Sequence, residues 1–190
     1  MQIFRSSFGQ VITWVVAAVM LLSLIAGGIQ SGFWSVAVSI APASLVVFLS
    51  WLLFYNPRVE VSDNGVKLVN VFRETFISFG AIDRIDTRWA LTLYSGADKY
   101  TAWGAVAPGR HTSFFATRDQ GSHLPESTYL AGTVRPGDLV NSDSGAPAAY
   151  IRRLWEAERG KDLERVITHK WHSGALMTLS VLIGMTIASF

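Results

Sequence analysis

The charged residues of this chain are confined to a central segment, and long apolar stretches lie on both sides of it. No Asp, Glu, Lys or Arg occurs between Ser6 and Pro57, whereas all 14 acidic residues and every basic residue except Arg5 lie between Arg58 and Lys170. One charge at the centre of a membrane helix costs about 2.5 to 3.5 kcal/mol. The pattern therefore predicts a membrane protein with one water-exposed middle segment.

Two transmembrane helices are predicted in the amino-terminal stretch, at residues 11–29 and 33–54. At ~1.5 Å per residue, each is long enough to cross a hydrocarbon core of about 30 Å. Residues 30–32 are too few for another element, so the helices form an antiparallel hairpin within residues 1–55, and we expect Pro42 to kink the second helix. A cleaved secretory signal is the alternative for the first helix, although a second charge-free segment follows it at once.

A third charge-free run covers residues 171–190. We predict a third, more weakly hydrophobic transmembrane helix there, preceded by a basic connector, the two together forming residues 161–190. The alternative is a helix buried against protein. Lys and Arg stay on the cytoplasmic side of a membrane, and they flank the three runs at Arg5, at Arg58 and just before Trp171. The amino terminus and the polar middle are therefore predicted inside, and the carboxyl terminus outside.

The polar middle has room for one small domain, which we place at residues 56–160. Alternating apolar and polar residues predict five short strands, at residues 58–62, 66–71, 75–79, 85–93 and 100–103. Asn64-Gly65 is a strong signal for a two-residue hairpin loop. With that loop, Val61 lies opposite Leu68 in the predicted register.

A helix is predicted to begin at Pro147, since proline is favoured in the first turn. Its apolar face consists of Tyr150, Ile151, Leu154 and Trp155. We expect Trp103 and Trp155 to belong to the domain core. The intervening residues 104–146 are rich in Gly, Pro, Ser and Asp, and we expect a long loop with poorly marked edge strands there.

Short strands followed by one amphipathic helix fit the pleckstrin-homology (PH) architecture, a small β-barrel capped by a carboxyl-terminal helix. Six stretches carry a family resemblance: NPRVEVS at 56–62, DNGV at 63–66, NVFR at 70–73, FI at 76–77, IDRI at 82–85 and YTAW at 100–103. With them the chain resembles the membrane-anchored bacterial PH domain proteins of actinobacteria, in particular the low-molecular-weight protein antigen 6 family. The resemblance covers about residues 11–104 and implies a location in the bacterial plasma membrane. Its motif positions are core and turn residues, so it implies a fold rather than an activity.

No catalytic, metal or cofactor site is predicted. His111, Asp119 and His123 are the only clustered residues that suggest hydrolysis or metal binding, but no nucleophile-elbow or zinc-site spacing accompanies them. His169 and His172 are three residues apart and share a face of the predicted third helix, where we expect interfacial anchoring. A cofactor or metal at these two histidines is the alternative.

Charge excludes one partner class and suggests another. A net charge of +2 gives no electrostatic footprint for nucleic acid, and the cations near the first hairpin are too dilute for a phosphoinositide. A basic cluster before the third helix is predicted to contact anionic lipid headgroups. Its members are Arg152, Arg153, Arg159, Lys161, Arg165 and Lys170. Acidic neighbours weaken this field, so the cluster has the alternative role of setting topology.

Small residues recur at four-residue spacing in the second and third predicted helices, where they allow close helix contact. They are Ser35, Ser39, Ala43, Ser180, Gly184 and Ala188. Packing among the chain's own helices uses one such stripe and leaves a surface for another integral membrane protein. We therefore predict a non-catalytic accessory or assembly subunit of a larger membrane complex, with a respiratory-chain supercomplex as one host. The alternative is a membrane-tethered lipid or ligand sensor that binds anionic headgroups.

Overall fold

A computed structural model describes residues 1–108, 136–139, 142–158 and 162–189 of the chain. The strands in these ranges are β1 (Gln2–Phe4), β2 (Arg58–Ser62), β3 (Gly65–Val69), β4 (Arg73–Ser78), β5 (Arg84–Asp86), β6 (Ala90–Ser95), β7 (Asp98–Val106) and β8 (Ile167–Trp171). The α-helices are α1 (Ser7–Ser31), α2 (Phe33–Ser50), α3 (Gly145–Glu158) and α4 (Ser173–Ala188). A π-helical turn, Trp51–Tyr55, extends α2.

The predicted helical hairpin is present. Gly32 alone separates α1 from α2, and its φ of 77° is a conformation that favours glycine. Both helices are long and apolar enough to cross a membrane, and only 6% of the apolar window of α1 is buried. A core helix of a soluble protein would be mostly buried, so this exposed apolar surface is consistent with a membrane anchor.

The third predicted helix is shorter than expected. α4 has 16 residues, or ~24 Å at the usual rise, which is less than the hydrocarbon core of about 30 Å. It packs against α2, and most of its side chains are exposed. The prediction of a third membrane span is therefore not confirmed.

Five antiparallel strands form one sheet in the order β1-β2-β3-β4-β8. Both edge strands were missed by the sequence analysis. β1 directly precedes α1, and β8 directly precedes α4. The predicted basic connector is wrong for residues 167–170, and Trp171 does not belong to the third helix as predicted, because residues 167–171 pair with β4 instead.

The register of the first hairpin differs from the prediction by two residues. Val61 pairs with Val66, not with Leu68, and the loop is Asp63-Asn64 rather than Asn64-Gly65. Gly65 is needed inside β3, since a Cβ there would collide with the backbone carbonyl of Ile77 on β4. The glycine therefore serves strand packing as well as the turn.

A second sheet has the order β5-β6-β7. The long strand predicted at residues 85–93 is wrong, because it is divided into β5 and β6. Between them, the Asp86 side chain accepts a hydrogen bond from the backbone N–H of Arg88 at 3.1 Å, which turns the chain. β7 packs against β2 and β3. The described residues thus form two contacting sheets, in which no closed barrel is observed.

α3 covers the core between the sheets, as predicted. Its Ile151 is fully buried, and Tyr150, Leu154 and Trp155 pack against the core as partly buried side chains. The fully buried residues of this core come from both sheets and include Val59, Val61, Leu68, Ile77, Leu91 and Leu93. The core prediction for Trp103 is wrong, because this side chain is 56% exposed.

Candidate functional site

One end of the five-stranded sheet meets all of the apolar helices, and we call this end the junction. Two residues separate β1 from α1, two separate the π-helical turn from β2, and His172 alone separates β8 from α4. The register agrees, since Phe4 pairs with Val59 and Arg73 pairs with Trp171. The domain is therefore attached to the helices through three strands.

Polar contacts close the junction. The Trp103 Nε1–H donates to the Leu53 carbonyl at 3.0 Å, and Arg58 donates to the Asn56 carbonyl at 3.0 Å. Within the hairpin, the Thr13 hydroxyl donates to the carbonyls of Gly9 at 3.0 Å and Ser50 at 3.3 Å. The Trp103 bond joins β7 to the π-helical turn, and the Thr13 bond to Ser50 joins α1 to α2, so the junction is a packed interface rather than a linker.

Asn70 links the two sheets beside the junction. Its side-chain amide donates to the Thr101 carbonyl at 2.9 Å and accepts from the Trp103 backbone N–H at 2.8 Å. Asn70 lies in the NVFR stretch that the sequence resemblance uses. Its bonds to β7 give that stretch a structural role. A polar asparagine at the end of an apolar strand is the feature of the sequence that could have suggested this role.

An ionic network crosses the outer face of the five-stranded sheet. Glu60 accepts from Arg58 Nε at 2.7 Å and from Lys67 Nζ at 2.9 Å, and Lys67 Nζ lies 3.6 Å from Glu74. Burial is the largest single influence on Glu60 and raises its pKa, but the hydrogen bonds and charges of Lys67 and Arg58 together outweigh it. The pKa of Glu60 is therefore below its usual value. The hydrogen bond to Glu60 raises the pKa of Lys67.

The two histidines near α4 do not share a helical face, contrary to the prediction. His169 lies in β8, where its Nδ1 is 3.1 Å from the Thr75 hydroxyl. His172 lies at the start of α4, with Nδ1 3.2 Å from the Val71 carbonyl and Nε2 3.1 Å from Glu74 Oε1. His172 therefore ties the start of α4 to the sheet, whereas the His169 contact lies within the sheet, between β8 and β4.

The predicted headgroup contacts are not brought together. Arg152 is 5% exposed and donates to buried Asp138 at 3.0 Å, so its prediction as a headgroup contact is wrong. Arg153 is exposed and lies 4.9 Å from the centre of the Tyr150 ring. Arg165 pairs with Asp83 at 2.9 Å. Arg165 precedes β8, whose first residue lies at the end of the sheet that is far from the junction. Exposed Lys170 lies opposite Glu74 in the sheet, and Arg159 and Lys161 fall outside the described residues.

Asp138 and Arg152 form a buried pair under α3. Asp138 Oδ1 also accepts from the Thr87 hydroxyl at 2.6 Å, while Oδ2 has no hydrogen-bond partner among the described residues. The pair joins the end of β5 to α3. Its role is structural, because it lies inside the domain and away from the junction.

The predicted helix-packing residues divide into two groups. Ser35, Ser39 and Ala43 line a cleft between α1 and α2, where Gly27 of α1 faces the Ser35 side chain. In α4, Ser180, Gly184 and Ala188 are exposed, and a Cβ at Gly184 would meet nothing within 4 Å. The stripe in α2 therefore serves the hairpin itself, and the stripe in α4 faces outward.

A larger groove of about 740 Å³ runs along the helices near the junction. Its lining is mostly apolar and comes from α1, α2, the π-helical turn and α4. The lining residues are Thr13, Trp14, Ala17, Met20, Leu21, Leu24, Ala43, Ser44, Val47, Phe48, Trp51, Tyr55 and Leu182. We call this the helix groove. The groove has no signal in the sequence, because it depends on how the helices cross.

A cation lies at the junction end of the helix groove. The Arg5 guanidinium is 5.5 Å from the centre of the Tyr55 ring, and Tyr55 lines the groove. Within the part of the chain that the structure describes, Arg5 has no carboxylate at salt-bridge distance. The nearby Ser6 hydroxyl donates to the Asp143 carboxylate at 2.6 Å. Arg5 was assigned only a topological role from the sequence.

The described residues add no candidate metal site to those considered from the sequence. No group of three or more potential metal ligands occurs among the described residues. His111, Asp119 and His123 lie outside those residues. The absence of catalytic, cofactor and metal sites therefore stays a prediction.

Comparison with known proteins supports the domain type. A family model described as Bacterial PH domain matches residues 56–138, which cover β2 through β7 and the segment up to the buried Asp138. No curated protein and no solved structure matches the chain significantly. The chain thus contains a PH-like domain, a fold consistent with binding to lipid or protein.

Proposed function

Starting from a PH-like domain attached to apolar helices, we propose that this chain is a non-catalytic, membrane-anchored binding subunit. In this proposal the helical hairpin lies in the bacterial plasma membrane and the domain lies at its cytoplasmic surface. The domain acts as an accessory or assembly part of a larger membrane complex. Its direct partners are other integral membrane proteins.

The observation that carries the proposal is that both edge strands of the domain's sheet are continuous in sequence with apolar helices. β1 immediately precedes α1 and β8 immediately precedes α4, and both belong to the domain's own sheet. A domain attached in this way keeps a fixed height and orientation at the membrane surface. Fixed geometry suits a part that positions a neighbouring protein.

The charge distribution favours this role over that of a headgroup sensor. A sensor needs several cations directed at one surface, since charged phosphates are bound by several donors at once. Arg152 and Arg165 are instead paired with Asp138 and Asp83 within the domain. The outward stripe of α4 offers a contact surface for a partner helix, because small residues permit close approach.

The identity of the host complex is a separate matter. No feature of the described residues favours a respiratory-chain complex over another host, and the match covers bacterial PH domains in general. The narrower actinobacterial resemblance and the respiratory host therefore add nothing to the proposal, which rests on the architecture alone.

The test is purification of the tagged full chain from native membranes in a mild detergent, followed by native gel electrophoresis and mass spectrometry. We expect the chain to migrate with other integral membrane proteins in a defined complex. Gly184→Leu on the outward stripe should release the partner, whereas Met185→Leu, an adjacent exposed position, should leave the complex intact. A wild-type chain that purifies alone would refute the proposal.

A further inference from the structure

We propose that the helix groove binds one anionic phospholipid of the cytoplasmic leaflet, with an acyl chain along the groove and the phosphate at Arg5. The inference rests on the proposed membrane anchoring and adds a specific ligand site to it. The site lies between the helices and not on the loops of the PH-like domain.

The length of the groove matches one leaflet. Along α1 its lining runs from Thr13 to Leu24, which is ~17 Å at the usual helical rise. Along α2 and its extension it runs from Ala43 to Tyr55, which is ~18 Å. Half of a hydrocarbon core is about 15 Å. A partner's transmembrane helix would need a surface of about twice that length, so the dimensions favour an acyl chain.

The lining chemistry also fits an acyl chain. A volume of about 740 Å³ lies within the ~300 to 1,000 Å³ that is usual for ligand sites. The Thr13 hydroxyl in the wall already donates to backbone carbonyls, so its proton is not directed at an occupant. The binding free energy of an occupant therefore comes mainly from burying its apolar surface against the groove.

The cation is at the end of the groove where a headgroup would lie. Trp14, Trp51 and Tyr55 line that end, and such aromatic side chains are enriched at the level of lipid headgroups. Arg5 is exposed beside Tyr55, and a guanidinium suits phosphate because its planar donors bind two oxygens together.

The net charge at the mouth of the groove limits the class of headgroup. Within the described residues, the Arg5 guanidinium has no carboxylate partner, and the Asp143 carboxylate binds the adjacent Ser6. A single cation of this kind suits a phosphodiester that carries one negative charge. A multiply phosphorylated inositol needs several cations together. Phosphatidylglycerol is therefore the appropriate probe.

The experiment reconstitutes the full chain into nanodiscs of equal parts phosphatidylglycerol and phosphatidylcholine. Native mass spectrometry then counts the lipids that remain bound. We expect the wild-type chain to retain phosphatidylglycerol in preference, and Arg5→Gln to lower that preference about fivefold, the factor that corresponds to ~1 kcal/mol per cation near the surface. Ala17→Phe, which fills the groove, should lower retention of both lipids.

Matched controls separate the site from general effects. Lys99→Gln removes an exposed cation from the β6–β7 hairpin, and Ala18→Phe adds the same bulk to an exposed position of α1 that does not line the groove. Both should bind lipid as the wild type does. Arg5→Gln tests the inference even if Ala17→Phe fails to fold, since Arg5 is exposed.

Three outcomes would overturn the inference. Equal lipid retention by the wild type and Arg5→Gln would refute the lipid site but would not contradict the proposed membrane anchoring. If Ala17→Phe retains lipid normally but loses a copurifying protein, the groove binds a partner helix. Recovery of the chain in a soluble fraction without detergent refutes the anchoring itself, and the lipid site with it.

Discussion

Glu60 offers the sharpest test of how the sheet is stabilised. Its side chain is 6% exposed and lies between the side chains of Arg58 and Lys67, which are 19% and 34% exposed. Glu60→Gln keeps the shape of the side chain and removes its charge. The amide has one oxygen and one NH₂ group, so at least one cation then faces a donor instead of an acceptor.

The expected loss of stability is worked from these two bonds. A hydrogen bond to a charged group contributes about 1.5 to 3 kcal/mol when it is shielded from water. Both cations reach solvent, which replaces part of each bond. We therefore expect Glu60→Gln to lower the free energy of unfolding by ~2 kcal/mol, and Glu74→Gln, whose carboxylate is 25% exposed, to lower it by less than ~1 kcal/mol.

The pH dependence has a definite sign. Because the pKa of Glu60 is lowered in the folded state, its stabilisation is present above its unfolded pKa and is lost as the pH falls through the folded pKa. The raised pKa of Lys67 gives stabilisation below its unfolded pKa that is lost as the pH rises through the folded value. Glu60→Gln should reduce the loss of stability at acid pH.

The assay is thermal or urea unfolding of the full chain in detergent, followed by tryptophan fluorescence across the pH range. A double-mutant cycle with Lys67→Met isolates the coupling between the two side chains. If Glu60→Gln changes stability by less than ~0.5 kcal/mol, the network contributes little and the explanation of the pKa shifts is wrong.

Three further predictions concern packing, and the same unfolding assay checks each of them. Gly9→Leu should prevent close packing of α1 on the end of α2, because a Cβ at Gly9 would collide with a backbone carbonyl there; a wild-type melting temperature would contradict this contact. Thr13→Val should destabilise by ~1 kcal/mol through its lost hydrogen bonds, whereas Ser50→Ala, which removes a buried hydroxyl that has no hydrogen-bond partner among the described residues, should be neutral or stabilising. Arg152→Met should cost ~3 kcal/mol or more by leaving Asp138 buried and unpaired, and adding Asp138→Asn should recover part of that loss.

The sequence predicted elements that are defined by local patterns. The helical hairpin follows from the charge-free stretch, and α3 follows from its apolar face and Pro147. The first strands were placed nearly correctly, although the register was wrong because Gly65 is required by its contact with Ile77 on a neighbouring strand. That contact cannot be read from the hairpin alone.

The missed features depend on tertiary pairing. β1 has three residues and is too short to show a period, and it is held by pairing with β2. β8 was missed because four of its five residues are exposed and show no alternation of apolar and polar positions, and pairing with β4 holds it in the sheet. Arg152 was assigned to the surface since its partner, Asp138, follows a stretch without a recognisable pattern.

The most direct test of the account is whether the segment before α4 completes the domain's sheet in the membrane. The chain has no cysteine, so a Phe76→Cys and Thr168→Cys pair reports only the observed β4–β8 register. Opposed antiparallel residues are ~4.5 to 5.5 Å apart between Cα atoms, within disulfide range, whereas Phe76→Cys with Lys170→Cys is two residues out of register. In native membranes treated with a mild oxidant, the account predicts efficient cross-linking of the first pair and little of the second. Equal or absent cross-linking of both pairs, with all three positions open to a maleimide, would contradict it.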